Sequence, residues 1–211
     1  PIKQISHRLN MVALHRIAIT PVTKFLRGFQ RGTFFKKFPF GDNSEEVAEF
    51  AEKIGFNVIE RKPELTENTV NGNDLMVYHQ QIFPDYDYYF QLFATAPYLQ
   101  PTTIKACYNK LINSEEYDSC FTAMENHSFY WYANMPVNYR PGILPRSQDM
   151  LPVIEETTGL YGISSDSLKK YKCRIGRKPY MHIVNKYEAV DINTEEDLLI
   201  AECIGNIIYN K

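Results

Sequence analysis

The chain has 211 residues, 44% of them hydrophobic, 14% aromatic and 23% charged, with a formal net charge of -2. That composition buries enough apolar surface for one globular domain and excludes an intrinsically disordered chain. No apolar run approaches the ~20 residues of a membrane span, no leader opens the sequence, and the four cysteines (107, 120, 173, 203) form no C-x-x-C pair, so neither a disulfide framework nor a zinc site is expected and a cytoplasmic setting is.

The charge is divided along the chain. Residues 1–43 carry eight Lys/Arg against the single acid Asp42, leaving 15 basic and 24 acidic residues in the remainder. A basic segment on an acidic body points to a local anionic ligand rather than a nucleic-acid face; a solvated basic helix is the competing reading. Asn43-Ser44-Glu45-Glu46 has the form of a helix N-cap, with Val47, Phe50, Ala51 and Ile54 at helical spacing and Gly55 as the stop. A strand is predicted over Phe56–Ile59, a helix over Leu75–Ile82 and an aromatic strand over Tyr86–Phe93. Pro101–Leu111 is a predicted helix opened by proline, and Tyr117–Ala123 a strand. After residue 160 a helix is predicted over Ser165–Tyr171, strands over Met181–Val184 and Ala189–Ile192, and a last helix capped at Asn193 with Glu196 three residues on. Such alternation predicts an α/β fold: one domain over 1–211, with a mixed, mostly parallel sheet between helical layers.

Residues 126–160 interrupt the rhythm. Phe129, Tyr130, Trp131, Tyr132 and Tyr139 are followed by Pro136, Pro141, Pro145 and Pro152, a stretch too apolar for a free loop and too proline-rich for a regular core element. An arm packing on a second subunit, or a lid over a site, fits it.

Several motifs, in order, resemble one family. Asp42–Gly55 with Arg61-Lys62-Pro63-Glu64-Leu65, the strand end Phe93-Ala94-Thr95-Ala96-Pro97-Tyr98-Leu99, Leu144-Pro145-Arg146-Ser147-Gln148-Asp149, Glu156-Thr157-Thr158-Gly159-Leu160-Tyr161, and Ala189-Val190-Asp191-Ile192-Asn193-Thr194-Glu195-Glu196-Asp197-Leu198 together are similar to the acylneuraminate (CMP-sialic acid and CMP-KDO) cytidylyltransferases. The resemblance implies a three-layer, Rossmann-like nucleotide-diphospho-sugar transferase fold. It implies transfer of CMP from CTP to a small acidic ulosonic sugar with release of pyrophosphate, in a homodimer joined through 126–160, without nucleic acid or membrane. Mg²⁺ (or Mn²⁺) would neutralise phosphate oxygens.

By the same resemblance Lys3, Ser6 and Arg8 belong to the phosphate loop, with Lys3 and Arg8 catalytic beside Asp191. Arg61, Lys62, Thr95, Ala96 and Pro97 border the nucleotide, and Arg146, Gln148, Glu156 and Tyr161 the sugar. Asp191 and Asn193 stand at the metal positions; Asn193 replaces the family's second aspartate and reads equally as a helix cap. The loop's glycines are absent, and Val12-Ala13 and Ile19-Thr20 occupy positions where the family has Lys-Asn and Gly-Lys. A homologue that binds sugar or nucleotide without turnover therefore stands as the alternative. Asp85-Tyr86-Asp87 has the D-x-D form of glycosyltransferase metal sites but precedes its strand, as a surface turn would. No histidine, His79, His127 and His182 included, is assigned a catalytic role.

Overall fold

The computed structural model describes residues 69–209 continuously, and 39–40, 49, 52–53, 57–59 and 62–66 before them. Two short strands, β1 (Pro39–Phe40) and β2 (Asn57–Val58), pair in parallel, and a single 3₁₀ turn covers Pro63–Thr66. The predicted helix after Asn43 lies largely outside the described residues.

Helix α1 (Gly72–Ile82) begins three residues earlier than its apolar spacing predicts, because Asn71 and Asp74 form a reciprocal capping box. Next come β3 (Tyr88–Leu92), α2 (Pro101–Ile112, proline in its first turn) and β4 (Ser119–Asn126). A two-residue hairpin, β5 (Trp131–Tyr132) and β6 (Met135–Pro136), turns through Ala133 and Asn134, both at positive φ as such tight turns require. The chain returns in β7 (Val153–Ser164), then α3 (Ser165–Tyr171), β8 (Pro179–Ile183) and α4 (Glu195–Tyr209). The irregular excursion thus covers 127–152, and residues 153–160 already belong to a sheet strand.

The main sheet runs β3-β7-β4-β8. β7 is antiparallel to both β3 and β4, whereas β4 and β8 are parallel. Three of the four strands therefore point the same way, as expected of a mixed, mostly parallel sheet, and the reversed one sits between them. Side-chain alternation sorts the strands onto two cores. Tyr88, Phe90, Leu92, Cys120 and Leu160 face α2 with Ile104, Cys107 and Leu111. Tyr89, Phe121, Tyr161 and Ile163 face the other way, onto Met76 of α1 and Leu168 of α3. Helices on both faces make three layers. Gln80 of α1 donates to the Ser165 carbonyl (2.8 Å) and hydroxyl (3.0 Å), fastening α1 to the start of α3.

Two expectations need correction. Ala189–Ile192 is not a strand: Asn185 Oδ1 accepts from the Tyr187 and Glu188 N–H groups (3.0 Å each), winding the chain into turns, and Ile192 packs with Tyr98, Leu198 and Ala201 under α4. Of the apolar residues that looked like a strand, Ile192 is buried and Val190 partly so, but in a loop. The cap of α4 also falls one residue later than predicted: Asp197 Oδ2 accepts from Thr194 N (2.8 Å), Thr194 Oγ1 (2.8 Å) and Asn193 N (3.1 Å), and Thr194 Oγ1 accepts from Asp197 N (3.2 Å). These bonds, the Thr194 hydroxyl first, hold the Asp197 carboxyl below the usual range.

Candidate active site

β7 carries a large irregularity. Between the pairs Phe121↔Tyr161 and Ala123↔Glu156, β4 advances two residues while β7 passes five. In a regular strand, residues five apart lie about 16 Å apart on opposite faces. Here the bulge folds them together, and the Tyr161 hydroxyl donates to Glu156 Oε1. The bulge is tied down by Thr157 Oγ1, which donates to the Thr122 carbonyl (2.9 Å) and meets its hydroxyl (2.8 Å), and by Leu160 N donating to Thr122 Oγ1 (3.2 Å).

The residue between these anchors, Thr158, is aimed at Asp191. Its hydroxyl donates to Asp191 Oδ2, which also accepts from Asn193 Nδ2 (2.9 Å). Because Thr194 caps α4, the Asn193 amide is left to serve Asp191. Asp191 Oδ1 is buried and has no hydrogen-bond partner among the described residues. A buried carboxylate oxygen without a donor is costly unless a cation or ligand meets it, so this oxygen fits a hard divalent ion taking its other ligands from phosphate and water. Asn193 supports the carboxylate through its N–H₂. Ile192 N donates to the Thr95 carbonyl (2.9 Å), which draws the turn Thr95–Pro97 beside Asp191, with Ala96 and Pro97 buried. Thr95 follows β3 and Asp191 follows β8. The site thus lies beyond the carboxyl ends of strands sharing one direction, where open α/β sheets bind ligands.

Arg174, in the loop after α3, completes the cluster and was not foreseen. Its guanidinium carbon lies 3.6 Å from the Tyr161 ring centroid and 5.6 Å from that of Phe93, and its Nη2 is 3.7 Å from Glu156 Oε1. Burial pushes the Tyr161 phenol well above its ordinary value, and the Glu156 hydrogen bond and the Glu156 and Asp191 charges push the same way, against Arg174. Tyr161 therefore senses both halves of the site.

Other sequence-predicted residues are placed elsewhere or not described. Lys3, Ser6, Arg8 and Arg61 lie outside the described residues. Lys62 is exposed, with its ammonium 5.9 Å from the Tyr78 ring centroid on α1. Arg146, its side chain 74% exposed, pairs with Asp149 (2.7 Å), and Gln148 is exposed beside it. Neither bonds to Glu156 or Tyr161, so the four expected sugar residues are brought together only in part. Asp85 and Asp87 are exposed ahead of β3, as a surface turn would be. His127 and His182 bond locally, to the Met150 carbonyl (3.1 Å) and the Tyr180 hydroxyl (3.3 Å).

Helices on both faces of a mixed sheet, a bulged reversed strand within it and a carboxylate in the loop after β8 make a three-layer α/β architecture. Among solved structures the chain matches a CMP:2-keto-3-deoxy-manno-octonic acid synthetase complexed with CTP (TM-score 0.57, 12% identity, 85% of this chain and 86% of that one). It also matches the 4-diphosphocytidyl-2C-methyl-D-erythritol synthase of Anaerococcus prevotii (TM-score 0.58, 14% identity, 89% and 84%). No family model matches. In sequence the chain is 26% identical over 166 residues to N-acylneuraminate cytidylyltransferase A of Danio rerio and 24% identical to N-acylneuraminate cytidylyltransferase of Oncorhynchus mykiss. Each match takes in 75% of this chain but 38% of the relative, so the chain spans about two fifths of the length of the curated relatives it matches. In sequence the chain is thus similar to the acylneuraminate cytidylyltransferases.

Proposed function

We propose that this chain transfers CMP from CTP to a sialic-acid-like ulosonic sugar, forming a CMP-sugar and releasing pyrophosphate. The observation that carries the reading is Asp191: a carboxylate beyond the strand ends, with one oxygen held by Thr158 and Asn193 and the other buried without a partner among the described residues. Asp191 would hold Mg²⁺ (or Mn²⁺), which when bound neutralises phosphate charge. The chain's own residues then position the substrates. The Thr95–Pro97 turn borders the nucleotide, with Lys62 and Arg61 toward the base, and Lys3, Ser6 and Arg8 serve the triphosphate. Glu156, held by the buried Tyr161, receives the sugar with Arg146 and Gln148 from the excursion, so that a sugar hydroxyl attacks the α-phosphorus in line with the departing pyrophosphate. The enzyme works in this reading as a cytoplasmic homodimer through the excursion.

The alternative is a homologue that binds sugar or nucleotide without turnover, favoured by the amide at 193 where the family has a second aspartate. Pyrophosphate release decides between them, measured with CTP, Mg²⁺ and a panel of sialic, KDO, pseudaminic and legionaminic acids. Release that needs one of these sugars is expected; silence across the panel, with CTP or a sugar still binding by calorimetry, selects the alternative.

A further inference from the structure

Arg174 is held from every side. Its backbone N–H donates to Asn73 Oδ1 (2.9 Å) at the start of α1, its Nη1 approaches Gln91 Oε1 (3.4 Å), and its guanidinium covers the Tyr161 ring. Gly72 makes room for it, since a Cβ there would collide with Nη1. The arginine side chain is 19% exposed, whereas Glu156, which it faces, is 42% exposed. Tyr161 Oη donates to Glu156 Oε1, and Arg174 Nη2 forms an ion pair with the same oxygen at 3.7 Å, while Oε2 has no partner among the described residues. A carboxylate fixed by one oxygen and open at the other is an oriented acceptor for a ligand hydroxyl. A guanidinium occupied by a ring, an amide and a carboxylate orients other groups rather than reaching ligand itself.

The geometry points to Arg174 as a positioning residue that sets the pose of Glu156, and with it the site's affinity for a polyhydroxylated acceptor; this rests on the cytidylyltransferase reading. Gly72→Ala tests it with little risk to the fold, because alanine is the better helix former and the atoms in its way are side-chain ends, Arg174 Nη1 first and Gln91 Oε1 far less (3.3 Å). In the full chain, Gly72→Ala and Arg174→Gln should each raise the acceptor KM about tenfold while leaving kcat and the KM for CTP within about twofold, the pattern of lost ground-state binding. Arg174→Lys, which keeps the charge, should recover part of the loss. Equal changes in both KM values, or no change in either, would overturn the proposal. A second arm needs no turnover: urea midpoints of Arg174→Gln, Glu156→Gln and the double variant. Non-additivity is expected if Arg174 holds Glu156, and strict additivity would overturn the proposal. If the wild-type chain releases no pyrophosphate, the functional reading fails and this cycle still decides the positioning role.

Discussion

The four-stranded sheet and the excursion at 127–152 are built from the same kinds of residue, and the chain treats them in opposite ways. In the sheet, Leu160, Tyr161 and Ile163 are fully enclosed. In the excursion, Trp131, Tyr132, Met135, Ile143, Leu144 and Leu151 stand out into solvent, Leu151 at 89% exposure. Aromatic contacts such as Phe129–Tyr139 (4.6 Å between centroids) and the Trp131 indole N–H donating to the Tyr139 hydroxyl (2.8 Å) organise the excursion without covering it. Apolar side chains on a regular period find partners within the chain, whereas those on a proline-broken segment do not. Exposed apolar side chains of that kind are what a protein interface covers, and the homodimer proposed above would use them.

That contrast can be broken by experiment. The largest effect belongs to the site beyond the sheet's strand ends. Asp191→Asn should lower turnover by about three orders of magnitude, in line with losing a preorganised charge at a phosphoryl centre, with the melting temperature nearly unchanged. A large drop in melting temperature with normal turnover per folded molecule would make Asp191 structural. Next comes a matched pair of truncations followed by urea unfolding. Leu160→Ala should cost about 2–5 kcal/mol through lost burial and a cavity, and Leu151→Ala within about 0.5 kcal/mol in the monomer. Equal costs would erase the distinction.

A smaller effect is pH-dependent. Burial alone would raise Asp118, but the Lys178 and Arg177 N–H groups (2.9 and 2.8 Å), with Ser119 and Ser167, outweigh it and hold the carboxyl below its usual value. A depressed folded pKa contributes stability that is present above the unfolded value of about 3.9 and lost as pH falls through the folded one. The urea midpoint should therefore fall as the solution is acidified below about pH 4, and Asp118→Asn should flatten that decline. Trp131→Ala should change the unfolding midpoint least and the mass most, giving monomer at micromolar concentration by light scattering. An unchanged dimer mass would move the interface elsewhere.

The helices α1 to α4 and the strands β3, β4 and β8 were legible because their signals are local, such as the proline opening α2 and the aromatic run through Tyr88–Leu92; β7 was not, because its bulge breaks the alternation and most of it fell within the stretch read as an arm over 126–160. The turn at 189–192 was not, since burial beneath α4 selects the same aliphatic residues as a strand does. The cap was ambiguous because Asn193 and Thr194 are both good N-caps and each has an acid three residues on; tertiary demand from Asp191 decided it. Asp191 was singled out from its motif, although the strand expected to carry it is a loop. Arg174 was not: it lies among Lys169, Lys170, Lys172, Arg177 and Lys178, a run that reads as a solvated face, and nothing local says which cation folds back onto Tyr161.

The reversed strand at the middle of the sheet also sets the order in which the molecule can come into being. β3 and β4 do not pair with each other; each pairs with β7, which the ribosome makes later. Tyr88 waits for Ser164, and Ser119 for Ile163. Until that strand emerges, β4 and the aromatic-rich β3 lack the neighbour that joins them in the described sheet. This is a non-local topology that slows folding and leaves the nascent chain dependent on protection from its neighbours.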